Sequence, residues 1–221
     1  MGEPEHHAVG PPPRPGLGPY ARELLRHPTP WIIGAWFAGA LAVRISRGAW
    51  TWRDPVILAV VVVLQPFSEW LIHVTVLHFR PRTVAGRVVD LHLAREHRRH
   101  HRDPGDVRLT LIPLPELVAA VVGVSVVSWF VAIDHGDAAT VMISVASMLG
   151  VYEWTHFLIH STYRPRGRHL RAVRRSHRLH HYRNEHHWMG ITTNVADRVL
   201  GTFPDRGEVE PSDTARTLTP G

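Results

Sequence analysis

Four apolar runs alternate with polar segments along the chain and set its organisation. They cover about residues 31–44, 55–79, 116–133 and 138–160. The second run contains V-I-L-A-V-V-V-V-L, which is apolar on every side of a helix and is therefore hard to bury in a small soluble bundle. At about 1.5 Å of rise per residue, this run is long enough to cross a bilayer. The pattern predicts an all-α integral membrane bundle of about four spanning helices.

The first run is the weakest candidate for a span, because residues 31–44 are few for a full crossing. A buried or interfacial helix is the alternative for this run. A soluble protein whose runs are core helices is the alternative for the whole chain, and the mean hydropathy of −0.09 favours it. That mean, however, averages the apolar runs with arginine-rich and proline-rich segments, so it does not decide between the two classes.

The two ends of the chain lack the apolar pattern. Residues 1–30 contain P-P-P-R-P-G and no apolar periodicity, which predicts a disordered or loosely docked N-terminal arm. They also lack the charged, apolar, then small-residue order of a cleavable signal peptide. We assign residues 31–205 to one membrane domain and residues 206–221 to a flexible C-terminal tail.

Ten of the 18 histidines recur in a duplicated spacing at and after the ends of the second and fourth runs. Each set is a spaced pair followed by H-x2-H-H. Imidazole is a common ligand of iron, zinc, copper and nickel, and ten imidazoles exceed what one tetrahedral zinc can use. The pattern predicts two metal ions with mostly imidazole ligands. The ten candidate ligands are His73, His78, His97, His100, His101, His156, His160, His177, His180 and His181.

The other histidines fall outside this spacing, and we interpret most of them as ordinary core or surface residues. These are His6, His7, His27, His92, His135 and His169. His186 and His187 are a separate case, because they follow the last triplet closely. We expect them to line the pocket beside the metals rather than to bind metal.

Charge and cysteine content narrow the class further. The formal net charge is +6, all 25 basic residues are arginine, and there is no cysteine. Disulfides, thiolate zinc sites and iron–sulfur clusters are therefore excluded. The arginines lie beside the histidines and the apolar runs, with no interleaved aromatic platform for stacking bases. This arrangement favours an anionic membrane surface over nucleic acid as the partner.

The same arginines predict an orientation. If all four runs span, the ends of the second and fourth runs lie on one side, and all ten histidines share that face of the membrane. The segments after those ends are rich in arginine, whereas residues 46–54 and 134–137 contain few. By the positive-inside rule, the histidine site is expected on the cytoplasmic face.

The histidine motifs, taken together and in order, resemble those of the membrane fatty acid hydroxylase and sterol desaturase superfamily, most closely its fatty acid 2-hydroxylase branch. The resemblance extends from about Glu69 to Thr202. It rests on E-W-L-I-H-V-T-V-L-H, H-R-R-H-H-R-D-P-G-D-V-R-L, Y-E-W-T-H-F-L-I-H and H-R-L-H-H-Y-R-N, with the trailing G-I-T-T-N-V-A-D-R-V-L-G-T. The resemblance implies a helical membrane bundle with a cytosolic helical cap that holds a dimetal centre. It also implies an O2-dependent reaction on a lipid-like substrate.

Hydroxylation of an unactivated C–H bond needs a redox metal, so the expected cofactors are two iron ions and O2. Zinc is possible in purified protein, because it lies above iron(II) in the usual affinity order. These 221 residues leave no room for the fused haem domain of the fungal ceramide hydroxylases, so we expect a separate reductase or electron carrier as partner. The alternatives are a sterol or carotenoid desaturase or hydroxylase of the same superfamily, and a non-redox zinc-binding membrane protein.

Three carboxylates are candidates to support the metal ligands by accepting hydrogen bonds from their outer ring N–H groups. Glu69 lies four residues before His73, and Glu153 lies three before His156, both at helical spacing. Glu153 is expected to accept from a ligand imidazole rather than to bind metal. Asp106 follows the first triplet, and capping of a turn is its alternative role.

Overall fold

The structure is a computed structural model that describes residues 16–219. The helices are α1 (Gly18–Leu24), α2 (Pro28–Ser46), α3 (Arg53–Ile72), α4 (His92–Arg102), α5 (Val107–Thr110), α6 (Leu114–Val131), α7 (His135–His160), α8 (Arg168–Tyr182) and α9 (Val195–Val199). A π-helix, His73–Leu77, continues α3 directly. A short antiparallel hairpin, β1 (Arg82–Val84) with β2 (Arg87–Val89), follows it, and a 3₁₀ turn at Arg206–Glu208 precedes the C-terminal segment.

Within residues 16–219, three helical stretches are long and apolar enough to cross a membrane: Arg53–Leu77, Val107–Val131 and His135–His160. Only 6% of the most apolar window of the first is buried within the protein. Large side chains such as Val63 and Phe130 point outward, the latter 81% exposed. Apolar surface of this extent is solvated by lipid, so the prediction of an all-α membrane bundle is confirmed.

The helix α7 lies at the centre of the bundle, where it contacts α2, α3 and α6, and α2 runs antiparallel to it. Near one end, Thr29 of α2 donates to Glu153 of α7. Near the other, Arg44 of α2 donates to Asp54 of α3, and Thr140 of α7 donates to the same carboxylate. Between these ends Ile33, Leu117 and Ala146 form a buried cluster. The expected first helix therefore exists, although it is not among the three with the composition of a span.

Helix starts follow local chemistry. Asp134 caps α7 by accepting a hydrogen bond from the backbone N–H of Asp137. Proline stands in the first turn of α2 and of α6, where its missing N–H costs nothing. These signals fix the lengths of α6 and α7, and the length of α7 delivers the histidines at its far end to the cap.

The flanking segments differ from the predictions. Residues 1–15 of the expected arm lie outside the described residues, and the rest of it forms α1 and the first turn of α2. The expected flexible tail packs on the cap, which is formed by α4 and α8 at the histidine-bearing end of the bundle. Val209, Ala215 and Leu218 of the tail are buried. These apolar side chains are spaced along an otherwise polar segment and pack on the same surface. A prediction from the average composition of the segment does not detect them.

Candidate metal centre

The ten predicted histidines converge into two groups of five at one end of the bundle. In each group the candidate ligand nitrogens all lie within 4.8 Å of one another. Eight of the ten side chains are buried, and His78 and His160 are half-buried. The groups adjoin, with the His101 and His181 ring centroids 4.1 Å apart. The first group is His73, His78, His97, His101 and His180; the second is His100, His156, His160, His177 and His181.

Each H-x2-H-H triplet is divided between the two groups. From α4, His97 and His101 enter the first group and His100 enters the second. From α8, His177 and His181 enter the second group and His180 the first. Residues four apart share a helix face while the residue between them is rotated away, so each helix faces both groups at once. The two groups are therefore built as one unit by α4 and α8.

The π-helix explains the wider spacing of the first pair. Its wide turn is closed by a hydrogen bond from His78 N to His73 O, 3.1 Å long, which joins residues five apart. Residues five apart in a regular α-helix point in different directions, whereas one π turn brings them nearly into line. The two ring centroids accordingly lie 4.9 Å apart. Both rings can then serve the same group.

Backbone carbonyls hold four of the ten rings by their outer nitrogens. In the first group, the Nδ1 atoms of His73, His101 and His180 lie 2.7, 2.8 and 2.9 Å from the carbonyl oxygens of Met189, Ala215 and His187. In the second, His156 Nδ1 lies 2.7 Å from Thr110 O. A carbonyl only accepts, so these Nδ1 atoms donate, and each neutral ring presents an unprotonated Nε2 to the interior of its group.

The inward nitrogens crowd one another as metal ligands do. His97 Nε2 lies 3.2 Å from His73 Nε2 and 3.1 Å from His101 Nε2. The last two are unprotonated, so His97 can donate one proton to only one of them. At least one lone pair then faces another lone pair at this distance, which is repulsive unless a cation lies between them. The donor set therefore fits a metal ion.

Burial keeps the imidazoles of the cap neutral. It lowers the pKa of His101 to about 3. Burial first, and then neighbouring imidazoles, hold the pKa values of five other cap histidines well below the usual range: His97, His100, His177, His180 and His181. Neutral imidazole is the form that binds metal, so at neutral pH the site is ready for metal without losing protons.

The three predicted carboxylates do not contact the rings in the described structure. Glu69 accepts from the backbone N–H groups of Ile191 and Thr192, at 2.5 and 3.0 Å. Glu153 accepts from Thr29 Oγ1 at 2.8 Å and from Ile112 N at 3.1 Å. The expected hydrogen bond from a ligand imidazole to Glu153 is not formed, because His156 Nδ1, one turn away on the same helix, donates to Thr110 O instead.

Asp106 has the alternative role considered for it. Its side chain accepts from Arg108 N at 3.0 Å, caps the short helix α5 and pairs with the Arg108 guanidinium. The Arg108 hydrogen bonds lower the pKa of the Asp106 carboxyl. It is a turn cap rather than a support for a histidine.

Sequence reasoning missed the loop of residues 187–192 as a source of ring partners, together with the buried Asp197 that binds it. This loop supplies the carbonyls for His73 and His180. Gly190 of this loop and Asp197 both lie in the trailing G-I-T-T-N-V-A-D motif. The carbonyl partners themselves cannot be recognised from the spacing of side chains.

The other histidines that the structure describes lie outside the two groups. His186 lines a cavity of about 320 Å³ that His78 borders from the first group, together with Trp70, Val74, Glu185 and Leu218. The His187 ring belongs to neither group. His92 pairs with Glu116, His135 stacks on Trp129, and His169 contacts Thr192 O. His6 and His7 lie outside the described residues.

An α-helical membrane bundle whose cap gathers ten histidines into two adjoining groups defines a class of integral membrane protein with a candidate dimetal centre. Residues 58–202, more than half of the chain, match the family model for fatty acid hydroxylase. The chain belongs to the fatty acid hydroxylase family.

Individual relatives and one solved structure agree with this assignment. The chain is 28% identical over 145 residues to fatty acid 2-hydroxylase of Macaca fascicularis, covering 64% of this chain and 38% of that protein. It is 27% identical over 143 residues to the Homo sapiens protein of the same name, covering 63% and 37%. The chain thus spans under two fifths of the length of these relatives. The visible hydroxylase domain of full-length Scs7p has the same fold, with a TM-score of 0.67 at 19% identity, over 83% of this chain and 69% of that one.

Proposed function

We propose that this protein is an O2-dependent membrane lipid hydroxylase that uses two iron ions, each held by one of the two histidine groups. The observation that supports it best is the presence of two adjoining groups of five imidazoles, in each of which the candidate ligand nitrogens all lie within 4.8 Å of one another. Each group would supply five nitrogen ligands to one ion. The two ions, when bound, would supply the redox chemistry that activates O2.

The proposed substrate is a fatty acyl chain or another lipid. The similar curated proteins are named fatty acid 2-hydroxylases. The cavity beside His78 is bordered by the apolar side chains of Trp70, Val74 and Leu218, which suit an alkyl chain. Insertion of one oxygen atom follows RH + O2 + 2e⁻ + 2H⁺ → ROH + H2O. The two electrons are assigned to a separate reductase or electron carrier.

The protein's own residues then have three tasks. The imidazoles bind the ions, the backbone carbonyls fix the direction of the rings, and the buried surroundings exclude water from the centre. None of these tasks requires a side chain to exchange a proton with the substrate.

Oxygen labelling tests the proposed function. Cells that express the protein are grown under ¹⁸O2, and their lipids are compared by mass with those of cells that express His101→Ala. We expect a lipid whose mass rises by one ¹⁸O atom only with the unaltered protein. Equal lipid profiles, with zinc-dependent activity persisting without O2, would assign the protein to the non-redox class instead.

We further propose that the histidine cap faces the cytoplasm, because the arginine-rich segments adjoin it. In this cysteine-free chain, single cysteines at Ala172 and Gly105 should react with an impermeant thiol reagent only from the cytoplasmic side. One at Ile133, which is 80% exposed at the opposite end of the bundle, should react only from the other side. Labelling of all three from one side contradicts the proposed orientation.

The C-terminal segment provides a test of ring orientation. Deleting residues 209–221 removes the Ala215 carbonyl that accepts from His101 Nδ1. Loss of such a partner typically lowers metal affinity about 10–100-fold. In a titration with a competing chelator, we expect the deletion variant to bind metal more weakly by this factor. Asp213→Asn, at an exposed position in the same segment, should leave the metal affinity unchanged. Unchanged affinity in the deletion variant would show that the segment does not support the site.

A further inference from the structure

One peptide group joins a buried carboxylate to a histidine of the first group. The peptide between Met189 and Gly190 donates its N–H to Asp197 Oδ2 at 2.7 Å. Its carbonyl accepts from His73 Nδ1, also at 2.7 Å. Hydrogen bonds at the two ends of one amide polarise it in the same sense, so the bond to Asp197 makes the carbonyl a better acceptor for the imidazole.

The surroundings hold this arrangement in one geometry. Asp197 is fully buried and also accepts from Met189 N at 2.9 Å and Thr202 Oγ1 at 2.5 Å. Burial raises the pKa of the Asp197 carboxyl, and the three hydrogen bonds oppose this rise. Glu69 accepts from the next two amides, so four successive N–H groups, 189–192, end on two carboxylates. The loop can therefore move little without breaking several buried hydrogen bonds.

The glycine in this loop allows the close approach. A Cβ atom at position 190 would lie 2.1 Å from Thr193 O and 2.9 Å from Asp197 Oδ2. Both distances are shorter than van der Waals contact allows. Thr193 O is a backbone atom, so it cannot move aside by a side-chain rotation. A side chain at position 190 would push the peptide away from Asp197. Glycine at this position therefore allows the amide to hydrogen-bond to the carboxylate.

We propose that Asp197 is a positioning residue for His73, acting through the single peptide group Met189–Gly190. It sets the direction of the ring and the strength of its outer hydrogen bond. The inference rests on the proposed dimetal function, and it assigns a role to one acidic residue of the trailing G-I-T-T-N-V-A-D segment. Since His73 belongs to the first group alone, the effect of Asp197 is confined to one of the two ions.

The test is the rate at which zinc leaves the zinc-loaded protein for a chromophoric chelator, which does not depend on activity. The unaltered protein should release two ions per chain. Asp197→Asn keeps the shape of the side chain. Because both carboxylate oxygens accept from backbone N–H groups, the new NH2 group must face one of these donors. We expect one ion to leave about 10–100-fold faster and the other at its original rate. Asp106→Asn, the same substitution at a turn cap, should change neither rate.

Paired variants identify the ion concerned. In the His156→Ala background, Asp197→Asn should still accelerate release from the first group. In the His73→Ala background it should have no further effect on the ion that remains. Thr202→Val, which removes one donor from Asp197, provides a milder variant that should accelerate the same phase if Asp197→Asn fails to fold.

Two outcomes overturn the inference in different ways. If the unaltered protein binds two ions and Asp197→Asn accelerates both equally or neither, Asp197 has only a general structural role, and the proposed function stands. If the unaltered protein binds fewer than two ions, the proposed function fails and this inference fails with it.

Discussion

His181→Ala is expected to abolish lipid hydroxylation and to lower the metal content from two ions per chain to one. His181 belongs to the second group, and its Nε2 lies 3.0 Å from His177 Nε2. Removing it leaves four candidate ligands in the second group and a cavity where the fifth ring lay. His101→Ala should do the same to the first group. Metal analysis of protein purified after iron loading, together with the lipid assay, measures both effects.

The matched control is His92→Ala, because His92 stands on the same helix α4 as three candidate ligands. Its side chain is partly exposed and pairs with Glu116 instead of joining either group. Both ions and full activity should therefore remain. Retention of two ions in both His101→Ala and His181→Ala would contradict the assignment of the ten histidines as ligands.

Glu69→Ala is expected to give the largest loss of stability among the carboxylate replacements. Glu69 accepts from two backbone N–H groups of the loop, from Thr192 Oγ1 at 2.7 Å and from Gln65 Nε2 at 2.7 Å. Alanine leaves the two buried amides without partners, and each such loss costs about 1–3 kcal/mol. The thermal unfolding midpoint of the metal-free protein in detergent should fall accordingly.

Measuring metal-free protein separates this effect from metal loss. Glu96→Ala serves as the control, because Glu96 is half-buried on α4 and pairs with the exposed Arg99. Surface pairs of this kind contribute about 0–1 kcal/mol, so its midpoint should change little. Equal midpoints for the two variants would mean that the loop is held mainly by Asp197 and by packing.

The class of fold could be predicted from the sequence alone, and so could the ten histidines that the fold brings together. Membrane helices are recognised from composition over about 20 residues, and that information is local. The ten histidines were identified as candidate ligands because the pattern of a spaced pair followed by H-x2-H-H occurs twice. Even the weak first run was assigned correctly as a helix, although its composition did not settle whether it spans.

The arrangement of these residues into two groups and the partners of their rings depend on the tertiary structure. The division of each triplet between the groups depends on how α4 and α8 face each other. Three of the four carbonyls that hold rings are distant in the chain, such as Ala215 for His101, 114 residues away. The tail and the 187–192 loop acquire their roles from the same contacts. A carbonyl is present at every residue, so no pattern of side chains marks the one that a fold will place beside an imidazole.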